Sequence, residues 1–331
     1  MKVIKYLLFL KSRSHIAKII FVVVVVFSSV VLTRCSKDED NDAQVQKETM
    51  IRSLLDEIRS DSLQSYVEWL KGMGTRFALA ENHRNVAVRI REKFKSAGYA
   101  DAILDSFYIT RTYRNVTYSQ WQYNVIAMIR GTDYPDSVCI LGSHYDDIVG
   151  TGDPFLAAPG AHDNASGTAA TIEIARVMKK KGFSPQKTIQ FIAFGAEELG
   201  LYGSLDYSAD PGEFAGRISF MLNNDMIGYD PDPNSASWQV NILDYSNSQG
   251  LRSETQKLIQ KYTSLRFIND NRYNKQSDSY PFSLRGYKAL FFTSVKTDPY
   301  YHTINDLPSN INFGYLREIA KISCAVLAEK N

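Results

Sequence analysis

Apolar residues recur at helical spacing from Met50 to Leu70 and again from Val86 to Ala97, where Gly98 is the kind of residue that commonly ends a helix. Both stretches are predicted as amphipathic helices. Between Ser106 and Arg130 the pattern changes to Tyr, Thr, Val and Ile alternating with polar residues, which predicts two strands turning around Tyr113 to Tyr118. Beyond that, short apolar runs alternate with helical patterns. Strands are predicted at Ser137 to Gly142, Thr188 to Phe194, Ser219 to Asn223, Gln239 to Leu243 and Ala289 to Thr293. Helices are predicted at Ser166 to Lys180, Leu201 to Ser208, Gly250 to Tyr262 and Tyr315 to Glu329. Apolar strands joined by crossover helices make an α/β fold, a mixed and largely parallel sheet with helices on both faces. In such sheets functional groups collect in loops after the carboxyl ends of strands.

The first residues carry a different pattern. Lys2, Lys5, Lys11, Arg13 and Lys18 precede an apolar run from Ile19 to Leu32, and Cys35 follows. The run is shorter than the roughly 20 residues that span a bilayer, which favours a cleaved export signal over a stable transmembrane helix. Residues 1–35 are therefore read as a signal peptide, 36–48 as a polar tether and 49–331 as one enzyme-sized domain. Leu32-Thr33-Arg34-Cys35 is similar to a bacterial lipobox, although Arg34 stands where a small residue is usual. The run Ser36 to Asp40 is similar to the acidic export tag of Bacteroidetes-type lipoproteins. The expectation is an exported lipoprotein of the outer membrane or cell surface, facing periplasm or exterior and held to the membrane by an N-terminal lipid.

Composition narrows the rest. The 331 residues include 38 Lys plus Arg against 36 Asp plus Glu, so no global field draws the chain to nucleic acid. Three cysteines, Cys35, Cys139 and Cys324, are too few for a disulfide framework or a thiolate zinc site. Cys139 and Cys324 sit in apolar patterns and read as small buried hydrophobes, a bridge between them being the alternative.

Candidate chemistry lies at the predicted strand ends. Val138 to Leu141 leads to His144 and Asp146, two residues apart, as a ligand and the carboxylate that orients it would be. Asp163 stands at a helix start within Pro159 to Gly167, where a simple N-cap is the plainer reading. The glycine- and alanine-rich surround, however, lets backbone approach a shared centre closely. Glu197 and Glu198 end another apolar strand, and two adjacent acids at a core edge are costly unless a cation or proton compensates them. Asp225 follows a further strand, and His302 comes late in the chain. Oxygen and imidazole donors without thiolates suit zinc, with cobalt or manganese as substitutes. His15, His83 and His162 have no partner pattern and are read as signal-region, surface and loop residues.

Taken together, His-x-Asp, Gly-Ala-x-Asp-Asn-x-Ser-Gly, Glu-Glu-x-Gly-Leu-x-Gly-Ser, Asn-Asp-Met and Tyr-His-Thr-x-x-Asp occur in the order found in M28 zinc peptidases, which the chain resembles from about Leu63 onward. The resemblance implies an aminopeptidase-like fold and two zinc ions. Asp163 would bridge them, His144 and Asp225 completing one site, Glu198 and His302 the other. It also implies that Glu197 is the general base, that Asp146 orients His144 and that Tyr301 donates a hydrogen bond to the oxyanion. The Asp163–Asn164 peptide is expected to be cis, as in relatives. Peptides are the implied substrates, cleaved at the N-terminal bond; Tyr113 to Tyr123 and Arg266 to Tyr280 are candidate pocket walls. Ser279 replaces a histidine frequent in the family. A carboxypeptidase or dipeptidase, a glutaminyl cyclase, and a receptor-like binding module are the alternatives on this scaffold. Binding modules typically show eroded ligands, whereas all five ligands and Glu197 are intact here.

Overall fold

A computed structural model of the chain describes residues 42–331. The expected signal peptide and the first residues of the tether lie outside the described residues. The chain divides into a short unit, 1–51, and a large one, 52–331. In the short unit residues 42–51 are helical, so the expected tether is helix from Asp42 onward. Ala43, Gln44, Gln46, Lys47 and Glu48 are strong helix formers, and an acid at the first position favours the helix dipole. Polarity predicted exposure there but did not exclude a helix.

The large unit opens with helical residues 52–57, and the single helix expected to reach Leu70 is interrupted. Arg59 is extended, and helix α1 (Ser60–Lys71) begins after it. Distant side chains satisfy the backbone groups freed by this break. Glu173 accepts from the Arg59 N–H at 3.2 Å, and Arg317 Nε donates to the Ile58 carbonyl at 2.9 Å. Helix α2 (His83–Ser96) then buries Val86, Ala87, Ile90 and Phe94, the expected apolar stripe.

Among the described residues eight strands form one sheet: β1 (Ile103–Tyr113), β2 (Val116–Ile129), β3 (Tyr134–His144), β4 (Lys187–Phe194), β5 (Ile218–Asn224), β6 (Gln239–Asp244), β7 (Arg266–Ile268) and β8 (Ala289–Ser294). Their order is β1-β2-β4-β3-β5-β8-β6-β7. β4, β3, β5 and β8 run parallel at the centre, β1, β2 and β6 pair antiparallel around them, and β7 runs parallel to β6. The sheet is thus mixed with a parallel centre, as expected. The remaining helices are α3 (Ser166–Lys180), α4 (Tyr202–Ala209), α5 (Gln249–Tyr262), α6 (Ser279–Leu284) and α7 (Phe313–Glu329).

Alternation along the strands divides the two faces. Val138 and Ile140 of β3 join Ile192, Phe194, Tyr207, Met221 and Phe282 in one cluster, so α4 and α6 cover that face. Ser143, of opposite parity, meets Thr168 and Thr171 of α3 on the other. A central strand buried on both faces needs a continuous apolar run, and Val138 to Leu141 is one. β7 and α6 were not anticipated: β7 has three residues and α6 carries Pro281 within its six. Cys139 and Cys324 are buried free thiols, so the bridge is absent. Among the described residues no helix is long and apolar enough to cross a membrane.

Candidate metal centre

All five expected ligands meet at the carboxyl edge of the parallel strands. His144 is the last residue of β3, Glu197 and Glu198 follow β4, and Asp225 follows β5. Asp163 lies in a short π-type turn, Ala161–Ala165, and His302 in the loop after β8. His144 Nε2 is 3.2 Å from Asp163 Oδ1 and 3.3 Å from Asp225 Oδ1. His302 Nε2 is 3.1 Å from Asp163 Oδ2 and 3.1 Å from Glu198 Oε2. The two oxygens of one carboxylate therefore face two separate donor sets, His144 with Asp225 and His302 with Glu198. Asp163 is not an N-cap: the N-cap position of α3 is Ala165, and the preceding turn holds Asp163 at φ −112° and ψ 94°. The Asp163–Asn164 peptide is cis.

Backbone conformation concentrates at the same place. Ala196, Met226 and His302, respectively before Glu197, after Asp225 and itself an expected ligand, all have positive φ, between 54° and 58°. Non-glycine residues reach this region at a cost, and they gather where surrounding structure dictates side-chain aim. Gly167 permits the close approach of α3 to β5: a Cβ there would lie 2.1 Å from the Asn224 carbonyl oxygen. Asn164 joins the same elements, donating to the Asn224 carbonyl and accepting from the Gly167 N–H.

Whether a cation fits can be read from the charges. Asp163, Glu197, Asp225 and His144 are buried, and the Glu198 side chain is 6% exposed. Among the described residues the ion pairs of these carboxylates are with the two histidines only. Four carboxyl groups thus crowd two imidazoles in a site that excludes most water, and a divalent cation would let all four ionise. Buried Glu198 Oε1 and His302 Nε2 have no hydrogen-bond partner, which leaves both atoms able to serve as metal donors.

Proton affinities respond to the same crowding. Burial presses His302 down, but Asp163 and Glu198 outweigh it and hold the imidazole at about 10. Burial also lowers His144, and Asp225, Glu197, Asp146 and Asp163 reverse it to well above the ordinary value. Asp163 and Glu198 share His302 yet move oppositely. Burial would raise Asp163, but the two histidine rings beside it hold it well below the carboxylate range. Glu198, with one histidine and Asp163 beside it, is pushed by burial to about 8. Burial raises Glu197 well above its usual value, His144 opposing and Glu198 adding to the rise.

Asp146, expected to orient His144, also reaches the turn after β4. Its carboxylate accepts from the Glu197 N–H at 3.0 Å and the Glu198 N–H at 3.2 Å, clamping the turn that carries both acids. The His144 Nδ1 hydrogen bond goes to the Asp146 backbone carbonyl at 3.2 Å, while the carboxylate is 3.7 Å away. Tyr301 stacks on His302 at 3.8 Å between ring centroids and is half-exposed.

Several site residues had no role from sequence. Asp306 accepts from the His162 and Asp163 N–H groups at 2.8 and 3.0 Å, and its own carbonyl accepts from the Ala161 N–H. It belongs to the quoted motif, four residues after His302, which was the available signal. Asn223 donates to Ser277 Oγ, and Ser277 donates to Asp225 Oδ2, each at 2.5 Å. Ser279 is buried against the Tyr245 hydroxyl at 2.9 Å. Tyr113 and Tyr118, candidate pocket walls, pack around Phe155. His162 is buried rather than in an open loop, its Nδ1 accepting from the Gly228 N–H. His83 places its two ring nitrogens against the Ala80 and Trp121 carbonyls.

A mixed α/β sheet whose central strand ends carry two donor sets sharing one carboxylate defines a metal-centre scaffold of the zinc-peptidase type. The sequence profile of peptidase family M28 matches residues 124–327, and the chain belongs to that family. A probable aminopeptidase of Saccharomyces cerevisiae, YDR415C, is 30% identical over 228 residues, 66% of this chain and 60% of the yeast protein. The chain thus spans about three fifths of that relative's length. The LapA aminopeptidase of Legionella pneumophila has the same fold at a TM-score of 0.72 and 23% identity, over 86% of this chain and 74% of that one. BSAP, a zinc aminopeptidase from Bacillus subtilis, does so at 0.69 and 19% identity, over 82% and 95%.

Proposed function

We propose that the chain is a zinc-dependent exopeptidase, an aminopeptidase that removes N-terminal residues from peptides and holds two zinc ions. The observation that carries this is Asp163, whose oxygens lie 3.2 Å from His144 Nε2 and 3.1 Å from His302 Nε2. His144, Asp163 and Asp225 would hold one ion, and Asp163, Glu198 and His302 the other. Family membership and the printed names of the relatives support the same reading.

Zinc in such a site lowers the pKa of water toward neutrality and polarises a carbonyl. The chain's own residues supply the rest. Glu197, close to His144 and Glu198, takes a proton from the attacking water and returns it to the leaving amine. Asp146 keeps Glu197 in place through the 3.0 Å bond to its backbone. Burial raises the Tyr301 hydroxyl above its ordinary value, with Asp163 and Glu198 adding to the rise. It stays protonated at neutral pH and can donate to the developing oxyanion. A free substrate amine binds among the carboxylates, which limits attack to the first bond.

Purified protein should hydrolyse aminoacyl-p-nitroanilides and peptides with free N-termini. Comparable cleavage of N-acetylated peptides would replace the aminopeptidase with a carboxypeptidase or endopeptidase. The basic start, the short apolar run and Cys35 support export and a lipid anchor at the outer membrane or cell surface. Cys35→Ala should then release the protein from membranes.

A further inference from the structure

Arg76 is a fully buried arginine in the loop between α1 and α2, outside the segment that the family profile matches. Its side chain reaches three backbone carbonyls and one carboxylate. Nε donates to the Tyr145 carbonyl at 2.7 Å, Nη1 to Pro159 at 3.1 Å and Nη2 to Gly160 at 2.8 Å. Asp147 is its counter-ion, with Oδ2 3.1 Å from Nη1 and Oδ1 accepting from the Arg76 N–H at 2.9 Å. Tyr145 directly follows the ligand His144, and Gly160 precedes the ligand Asp163 by three residues. One planar fork therefore joins the exit of β3 to the turn that carries the shared carboxylate.

The same turn is gripped from its other end. Arg76 takes the carbonyls of Pro159 and Gly160, and Asp306 takes the N–H groups of Ala161, His162 and Asp163. Five consecutive residues are held between Arg76 and Asp306, which reach them from different loops. Gly160 fits this arrangement at φ 45°, since a Cβ there would lie 2.6 Å from Asp147 Cβ and 2.8 Å from Arg76 Nη2.

We propose that Arg76 is a positioning residue for the metal centre: by tying the Tyr145 carbonyl to those of Pro159 and Gly160, it sets the approach of Asp163 to His144 and so the ability of Asp163 to serve both donor sets. This rests on the zinc reading above. Arg76 touches neither substrate nor metal, and it acts through backbone alone.

The test compares zinc titrations of metal-free protein, thermal melts and the visible spectrum of the cobalt-loaded form for wild type, Arg76→Lys and Asp147→Asn. Lysine keeps a cation beside Asp147 but lacks the planar fork that reaches three carbonyls. Its zinc affinity should fall roughly 10- to 100-fold, the range for residues that orient ligands, and its cobalt spectrum should shift. Asp147→Asn keeps the Arg76 fork and an oxygen for the Arg76 N–H, so it should melt lower while zinc affinity and cobalt spectrum stay as in wild type. Should Arg76→Lys fail to fold, Arg76→Gln combined with Asp147→Asn removes the uncompensated buried charge and should show the same zinc loss. Wild-type protein that binds no zinc would overturn the metal reading and this proposal together. Wild-type zinc affinity in Arg76→Lys, or zinc losses in both variants that simply follow their melting temperatures, would overturn the positioning role alone.

Discussion

Burying Asp163, Glu197, Glu198 and Asp225 around two histidines leaves each acid with a distinct electrostatic environment, and the roles divide accordingly. Asp163 lies between two imidazoles that hold it ionised, which suits the role of shared ligand in the proposed function. Glu197 has no ion pair of its own among the described residues and is free to move a proton. Glu197→Gln should therefore keep its zinc and lose roughly 10²- to 10⁴-fold in turnover, the usual contribution of a general base. Glu198→Ala should lose metal as well as turnover. Metal analysis beside kinetics on both variants checks this, and near wild-type turnover in Glu197→Gln would remove its role. His162 gives a second prediction at this scale, independent of turnover. Burial lowers it from 6.5 to about 4, and its Nδ1 accepts a hydrogen bond that only the neutral ring can accept. A histidine depressed in the folded state contributes stability that is present above pH 6.5 and lost as the pH falls through 4. The loss approaches about 3 kcal/mol at the acid end. Urea unfolding between pH 7 and 4 should show this slope in metal-free wild type, and His162→Asn, which keeps an acceptor and cannot be protonated, should flatten it.

Elements carry these side chains only because they meet closely at one edge of the sheet. α3 starts against the end of β5 with no room for a methyl group at Gly167, whose Cβ would lie 2.1 Å from backbone. Gly167→Ala should cost about 1–3 kcal/mol by overpacking and weaken zinc binding, because the turn before α3 carries Asp163. Thermal melts with zinc titration would show both, and a variant that loses stability but binds zinc normally would separate α3 from the site. The central elements were legible because their apolar runs are long and their ligands follow strand ends directly: β3 to β5, β8, α3 and α7 came within a few residues of expectation. The break at Ile58–Arg59 was not, since the groups that satisfy it, Glu173 and Arg317, are more than a hundred residues away. α6 was hidden by Pro281, β7 by its brevity, and the helix from Asp42 by its polarity. The five ligands were legible as motifs, whereas the grip of Asp306 on the Asp163 turn, the Ser277 bond to Asp225 and the clamp of Asp146 on Glu197 depend on contacts across the chain that spacing does not encode.

For the whole molecule, the described fold from residue 52 onward holds every candidate site residue, so chemistry should not need the N-terminal segment. Protein beginning at Glu48 should be soluble and should match the full chain in aminoacyl-p-nitroanilide hydrolysis, while the full chain should partition with membranes. Lower activity per zinc in the shortened protein would give the N-terminal residues a part in the site. Zinc bound per chain, read by equilibrium dialysis on metal-free wild type and Asp163→Ala, tests most directly whether one carboxylate joins two metal sites. Wild type should take up two zinc ions at neutral pH, and Asp163→Ala should lose high-affinity binding at both sites because each shares that ligand. A wild-type chain saturating at one zinc, or an Asp163→Ala chain that still holds two, would show that Asp163 does not join two sites.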